Sequence, residues 1–225
     1  MGMKNNKNLS LLDRLAPLLQ TLGAGEEAIW NDLAQLDPTD VCKRSLASYN
    51  ANANRYTLKI LNEDYFIWPS KRLIEKAYCA ELSPPKIKLP FRIMTVAYLV
   101  NAKEIEPSGV LVKPTQFKSG DVFFVGPHAM PVEPIKQKFG RNPEAFLKAG
   151  LSLGGKKVPH GDVAFELKVL PRIPLTYILW VGDEEFPPNA SILFDATAEH
   201  HMLPDALWAV AITATDKLLS LINIG

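Results

Sequence analysis

Cysteine is nearly absent: Cys42 and Cys79 are the only two in 225 residues. That count excludes a disulfide scaffold, a four-cysteine zinc site and an iron–sulfur cluster held by this chain alone, and it predicts a reduced, cytoplasmic protein. An excess of either charge is missing too. Twenty-five Lys and Arg against 24 Asp and Glu leave a net charge of +1, without the uniform basic field of a non-specific nucleic-acid binder. No run approaches the ~18 apolar residues of a membrane span. The first ten residues, MGMKNNKNLS, are polar, and Asp13, Arg14 and Gln20 interrupt the leucine-rich stretch after them, so no signal peptide is expected. The chain is therefore expected to engage neither nucleic acid nor membrane.

The chain does have a hydrophobic content of 47% and enough length to bury a core without staples. Leu11, Leu12, Leu15, Leu18, Leu19 and Leu22 repeat at helical spacing, with Pro17 predicting a kink. A second amphipathic segment covers residues 26–36, and Asp37-Pro38 supplies a cap and first-turn proline for a third helix through about Tyr49. Alternation then sets in: Tyr56, Leu58 and Ile60 on one strand, a polar link at residues 62–64, and Tyr65, Phe66, Ile67 and Trp68 on the next. Residues 91–100 are apolar on most sides, and their length favours a buried helix over a strand. Short strands are expected at 109–112 and 121–125, then helices near 132–139 and 143–149.

The final third predicts strands over 163–170, 175–181 and 191–194 and a closing helix from about Leu203-Pro204. Pro171 and Pro174 guard the bend between the first two. Helix, sheet and helix in blocks, not in strict alternation, read as α+β: N-terminal helices, a mostly antiparallel sheet with a C-terminal β-hairpin, and a closing helix. No repeat or linker divides the chain, so residues 1–225 are expected to form one domain, with 1–37 as a helical extension.

Chemistry-bearing motifs are few. Gly150, Gly155 and Lys156 match the phosphate-loop spacing G-x-x-x-x-G-K, but Lys157 stands where a magnesium-binding Ser or Thr is needed and a helix precedes it, so a cationic surface turn is the preferred reading. Cys42 shares an apolar stripe with Leu46 and Tyr49 and reads as a buried thiol, and Cys79 has no His nearby in sequence. Asp183, Glu184, Glu185, Asp195, His200, His201 and Asp205 are the residue types that bind metals or move protons. Of these, Asp183, Glu185, Asp195, His200 and His201 are the metal-ligand candidates, against a plain alternative of solvated turn carboxylates and an Asp195 that caps a short helix through Ala198. Arg172, between two prolines, is a candidate for holding an anionic group, with Trp180 or Trp208 packing on the ligand's flat part. The plain alternative is an ion pair for Arg172 and core positions for the aromatics, Phe186 included.

The stretch LPRIPLTYILWVGDEEFP, residues 170–187, together with ILFDATAEHHMLPDAL, residues 192–207, resembles the most recognisable region of the family known as domain of unknown function 3786. LPFRIMTVAYLV resembles that family's central helix and YTLKILNEDYFIWP its early hairpin, so the resemblance spans about residues 38–222. It implies a setting in anaerobic bacteria and archaea, where some members carry a cysteine-rich iron–sulfur segment that this chain lacks. It supplies no catalytic residues and no named cofactor. The leading expectation is an accessory protein binding an anionic small molecule or cofactor. A metal-dependent enzyme built on the Asp/Glu/His set and an interaction module for a redox partner are the alternatives.

Overall fold

The computed structural model describes Leu11, Leu15 and residues 25–78 and 87–221. The expected Pro17 kink and Cys79 lie outside the described residues. The described chain is α+β, with two antiparallel sheets and eight α-helices. Helices α1 (Glu26–Gln35) and α2 (Pro38–Ser45) open it. The Asp37 carboxylate accepts the Thr39 N–H at 3.1 Å, the cap that the Asp-Pro pair predicts. The first sheet has the order β1-β2-β3-β4, with β1 at Ser48–Asn50, β2 at Arg55–Ile60, β3 at Glu63–Trp68 and β4 at Leu73–Lys76. Its inward face carries Tyr56, Leu58, Ile60, Tyr65, Ile67 and Ile74, all buried. Helix α3 (Leu89–Asn101) is buried on most sides and packs Phe91 against Tyr65, the rings tilted with centroids 4.7 Å apart.

The second sheet has the order β5-β9-β8-β7-β6: β5 at Leu111–Val112, β6 at Lys156–Val158, β7 at Val163–Leu170, β8 at Ile173–Trp180 and β9 at Asn189–Asp195. Between β5 and β6 come α4 (Gly120–Phe123), α5 (Val132–Phe139) and α6 (Pro143–Ser152), and after β9 come α7 (Ala198–His201) and α8 (Pro204–Ser220). Phe165, Leu167, Tyr177, Leu179, Ile192 and Phe194 form the apolar face, and Tyr177 shares a hydrogen bond with Thr215 of α8 at 3.1 Å. Where the sheets meet, the Leu61 N–H donates to the Val169 carbonyl at 3.0 Å.

Three local expectations change. The third helix stops at Ser45 because Leu46 turns left-handed at φ 59°, and Tyr49 pairs with Tyr56 in β1 instead of extending a helical stripe. Residues 121–125 do not form a strand. Gly120–Phe123 is a short helix that buries Phe124 and leaves Val122 exposed, and β5 next to it already pairs with β9. The β2–β3 link is tighter than its polar residues suggest: Leu61 and Asn62, both at positive φ, close a two-residue hairpin between Ile60 and Glu63.

Candidate functional site

Arg172, Asp195 and His201 are buried and stand at one end of the second sheet, where they act on one segment, residues 103–110. His201 Nδ1 accepts the Lys103 N–H at 3.2 Å. Arg172 donates from Nη1 to the Ile105 carbonyl at 3.3 Å and to the Glu106 carboxylate, and from Nε to the Arg44 carbonyl at 2.8 Å. Asp195 Oδ1 accepts from the Ser108 N–H and hydroxyl, and Oδ2 from the Gly109 N–H at 2.7 Å. Burial alone would raise the Asp195 pKa, but the bonds from Thr197, Ser108 and Gly109 outweigh it and hold the carboxyl below its ordinary value. His201 is pushed the other way from a catalytic base: burial first, then the Arg172 charge, lowers its pKa to about 4. These side chains fasten a loop, and most of their polar atoms are engaged by its backbone.

The other candidates fall elsewhere. Trp180 ends β8 while Arg172 precedes its start, roughly 25 Å away at the rise of a strand. Trp208 is fully buried in α8, its indole N–H donating to the Ala129 carbonyl at 3.4 Å, and Phe186 is exposed. Arg172, Trp180 and Trp208 therefore do not line one pocket. Asp183 accepts the N–H groups of Glu185 and Phe186, which lower its pKa, in the loop at the Trp180 end. His200 is exposed on α7 at the opposite end. Among the described residues no group of three or more His, Cys, Asp and Glu side chains is placed to hold a metal ion. Cys42 is half-buried, and burial together with the Asp37 charge pushes its thiol up, away from nucleophilic use.

Two of the concave surfaces carry charged side chains from the sheets. The first is a groove of about 380 Å³ at the junction of the sheets, lined by Lys59, Lys156, Lys168, Asn62, Leu46 and Pro171 along with Leu153 and Gly154. Lys59 pairs with Asp64 at 3.1 Å, while Lys156 and Lys168 make no ion pair among the described residues. Leu46 is 53% exposed and gives the groove an apolar side. Lys156 comes from the G-x-x-x-x-G-K run, whose glycines serve packing. Gly150 lies where any Cβ would strike the Phe165 ring, and Gly154, at φ +83°, lies against Asn62. The second surface is a pocket of about 600 Å³ on the outward face of the first sheet, lined by residues that include Arg55, Asp64, Phe66 and Tyr78. Of the two lining sets the sequence singled out Lys156 alone, as part of a cationic surface turn. The legible signal was the run Tyr65-Phe66-Ile67-Trp68, which on a two-residue period must turn two aromatics outward.

The fold and these clefts define an α+β protein with two antiparallel sheets and a concave surface at each of two places on them. The chain belongs to the family described as domain of unknown function (DUF3786), whose model matches residues 37–217. No curated protein and no solved structure matches it. No helix among the described residues is long and apolar enough to cross a membrane.

Proposed function

We propose that the protein binds an anionic small molecule or cofactor in the groove between its sheets, with Lys156 and Lys168 meeting the negative group and Leu46, Leu153 and Pro171 packing on the apolar part. One observation carries this reading: two lysines without carboxylate partners among the described residues share a concave surface with a leucine that is half exposed. Unneutralised cations beside low-dielectric walls raise the local concentration of anions. The Leu61–Val169 bond between the sheets fixes the groove's two sides before a ligand arrives, and such pre-organisation favours affinity. The wider setting we infer, a cytoplasmic accessory role in anaerobic metabolism, is supported by the family resemblance.

A thermal-shift screen at low salt, covering nucleotides, flavins, tetrapyrroles, corrinoids and pterins, tests it. A ligand at a hundred times its Kd stabilises by ~2.7 kcal/mol, and ~2 to 4 °C per kcal/mol makes the expected shift about 5 to 10 °C. The double variant Lys156→Gln/Lys168→Gln should lose most of that shift. A screen without hits, or hits that move the double variant equally, overturns the reading.

A further inference from the structure

The arginines that pack into the structure are, with one exception, matched to a carboxylate. Arg44 pairs with Asp40, Arg92 with Glu26 and Arg172 with Glu106. Arg55 is the exception. Its guanidinium carbon lies 3.4 Å from the centroid of the Phe66 ring and 5.5 Å from that of Trp68, so the cation is held over an aromatic face. Stacking of this kind occupies the face of the guanidinium and leaves its N–H edge for acceptors. Yet the Arg55 side chain makes no hydrogen bond or ion pair among the described residues, and its Nε is buried without a partner. The Nε–H is closed off from the pocket, and the two Nη groups, without an acceptor among the described residues, are the donors left for a ligand.

The acceptor's surroundings restrict its chemistry. Arg55 and Asp64 line the same pocket and form no ion pair with each other. Asp64 sits two residues from Phe66 on the outward face of β3, opposite Lys59 in the register, and gives Lys59 its Oδ1. A guanidinium and a carboxylate therefore line one pocket, with the guanidinium over the Phe66 ring. A dianionic phosphate would satisfy Arg55 but set its second charge against Asp64. A ligand that carries both an anion and a cation offers a partner to each. Ser48, Asn50, Asn52 and Thr57 add neutral polar groups, and Tyr78, 90% exposed and edge-on to Phe66, gives the pocket an aromatic wall.

We propose that this pocket is a second binding site, separate from the lysine groove, and that it takes a free α-amino acid: carboxylate on the Arg55 N–H edge, ammonium on Asp64, side chain against Tyr78. The volume, about 600 Å³, lies in the range of small-molecule sites. The carboxylate bond is the stronger determinant, because a planar guanidinium meets both oxygens at once.

The test is calorimetric titration of the full chain with each proteinogenic amino acid, at about 10 mM to reach millimolar affinities. Whichever binds is then compared with its amide and its N-acetyl form. Removing either charge should weaken binding about tenfold or more. Arg55→Gln should erase the preference for acid over amide, and Asp64→Asn the preference for free amine over N-acetyl, while Lys156→Gln/Lys168→Gln binds as the parent does. If no amino acid gives heat, or if the blocked forms bind the parent as tightly as the free one, the assignment is wrong. The comparison of blocked ligands uses the unaltered protein and so decides the matter even if Arg55→Gln fails to fold.

Discussion

Asp195 grips Ser108 twice, its Oδ1 accepting both the backbone N–H and the hydroxyl at 3.0 Å, across 87 positions of sequence. The same oxygen takes the N–H and hydroxyl of Thr197, at 2.9 and 2.7 Å, and Oδ2 takes Gly109. One carboxylate thus ends β9, shapes the approach to α7 and holds the loop before β5.

Asp195→Asn should accordingly be severe for so small a change. The amide supplies one acceptor where two oxygens worked, and its NH₂ would face either the Gly109 N–H or the Ser108 and Thr197 donors. Lost charge-assisted bonds and an unmatched buried donor together predict a cost of about 2 to 4 kcal/mol, measurable by urea unfolding. A cost under ~0.5 kcal/mol would show that the loop holds without Asp195.

His201 sets a pH dependence of definite sign. Its ring is kept neutral, with the pKa lowered to about 4 by burial first and then by the Arg172 charge and His200, against smaller opposing effects of Asp195 and Glu106. In the unfolded chain it returns to about 6.5. The unfolded state therefore binds the proton more tightly. The stability that the neutral ring contributes is whole above about pH 6.5 and is lost progressively as pH falls toward 4. Melting midpoints measured across that window should fall, and His201→Asn, which keeps an acceptor for Lys103 without titrating there, should flatten the slope. An unchanged slope in the variant assigns the effect to another group.

How far the sequence reaches is clearest at Arg44 and Ser45. Their carbonyls lie in the last turn of α2, and their partners, the Arg172 guanidinium and the Tyr98 hydroxyl, stand 128 and 53 residues away. Periodicity registers only near neighbours, so the stripe from Cys42 to Tyr49 reads as one helix although long-range bonds satisfy its end at Ser45. Local signals succeed where the partner is local: the Asp37 cap, the β2–β3 alternation and the β7–β8 hairpin all lie where expected. The site candidates fail to converge for the converse reason. Residue type identifies Arg172, Asp195 and His201 as capable of chemistry, but only geometry shows that each fastens the 103–110 loop, with His201 Nε2 left buried and without a partner among the described residues. Arg55 carries the same chemistry and has no hydrogen-bond or ion-pair partner among the described residues, a difference invisible in one dimension.

The tryptophans should separate sharply. Trp208 is fully buried, with His128 edge-on at 5.1 Å and its indole N–H bonded to Ala129, so Trp208→Ala should cost about 3 to 5 kcal/mol. Trp180 keeps 38% of its surface in water at the end of β8, and Trp180→Ala should cost about 1 kcal/mol. Equal costs in denaturant titration would contradict this placement.

Gly150→Ala pits two opposed effects against each other. In a helix interior alanine is favoured over glycine by about 1 kcal/mol, and Gly150 lies within α6. A Cβ there would lie 2.5 Å from the Phe165 ring, which is itself fully buried between Phe146 and Tyr177. Overpacking of a tight core costs about 1 to 3 kcal/mol, because the ring has no free space to move into. The packing loss should exceed the helix gain, giving net destabilisation of up to about 2 kcal/mol. A phosphate-cradling role for the same glycine would leave a different mark: stability near the parent's, with loss of a nucleotide-induced thermal shift. The expected outcome is a lowered midpoint and a ligand response unchanged at the lysine groove, and a variant as stable as the parent would mean that α6 does not rest on Phe165 as closely as the geometry requires.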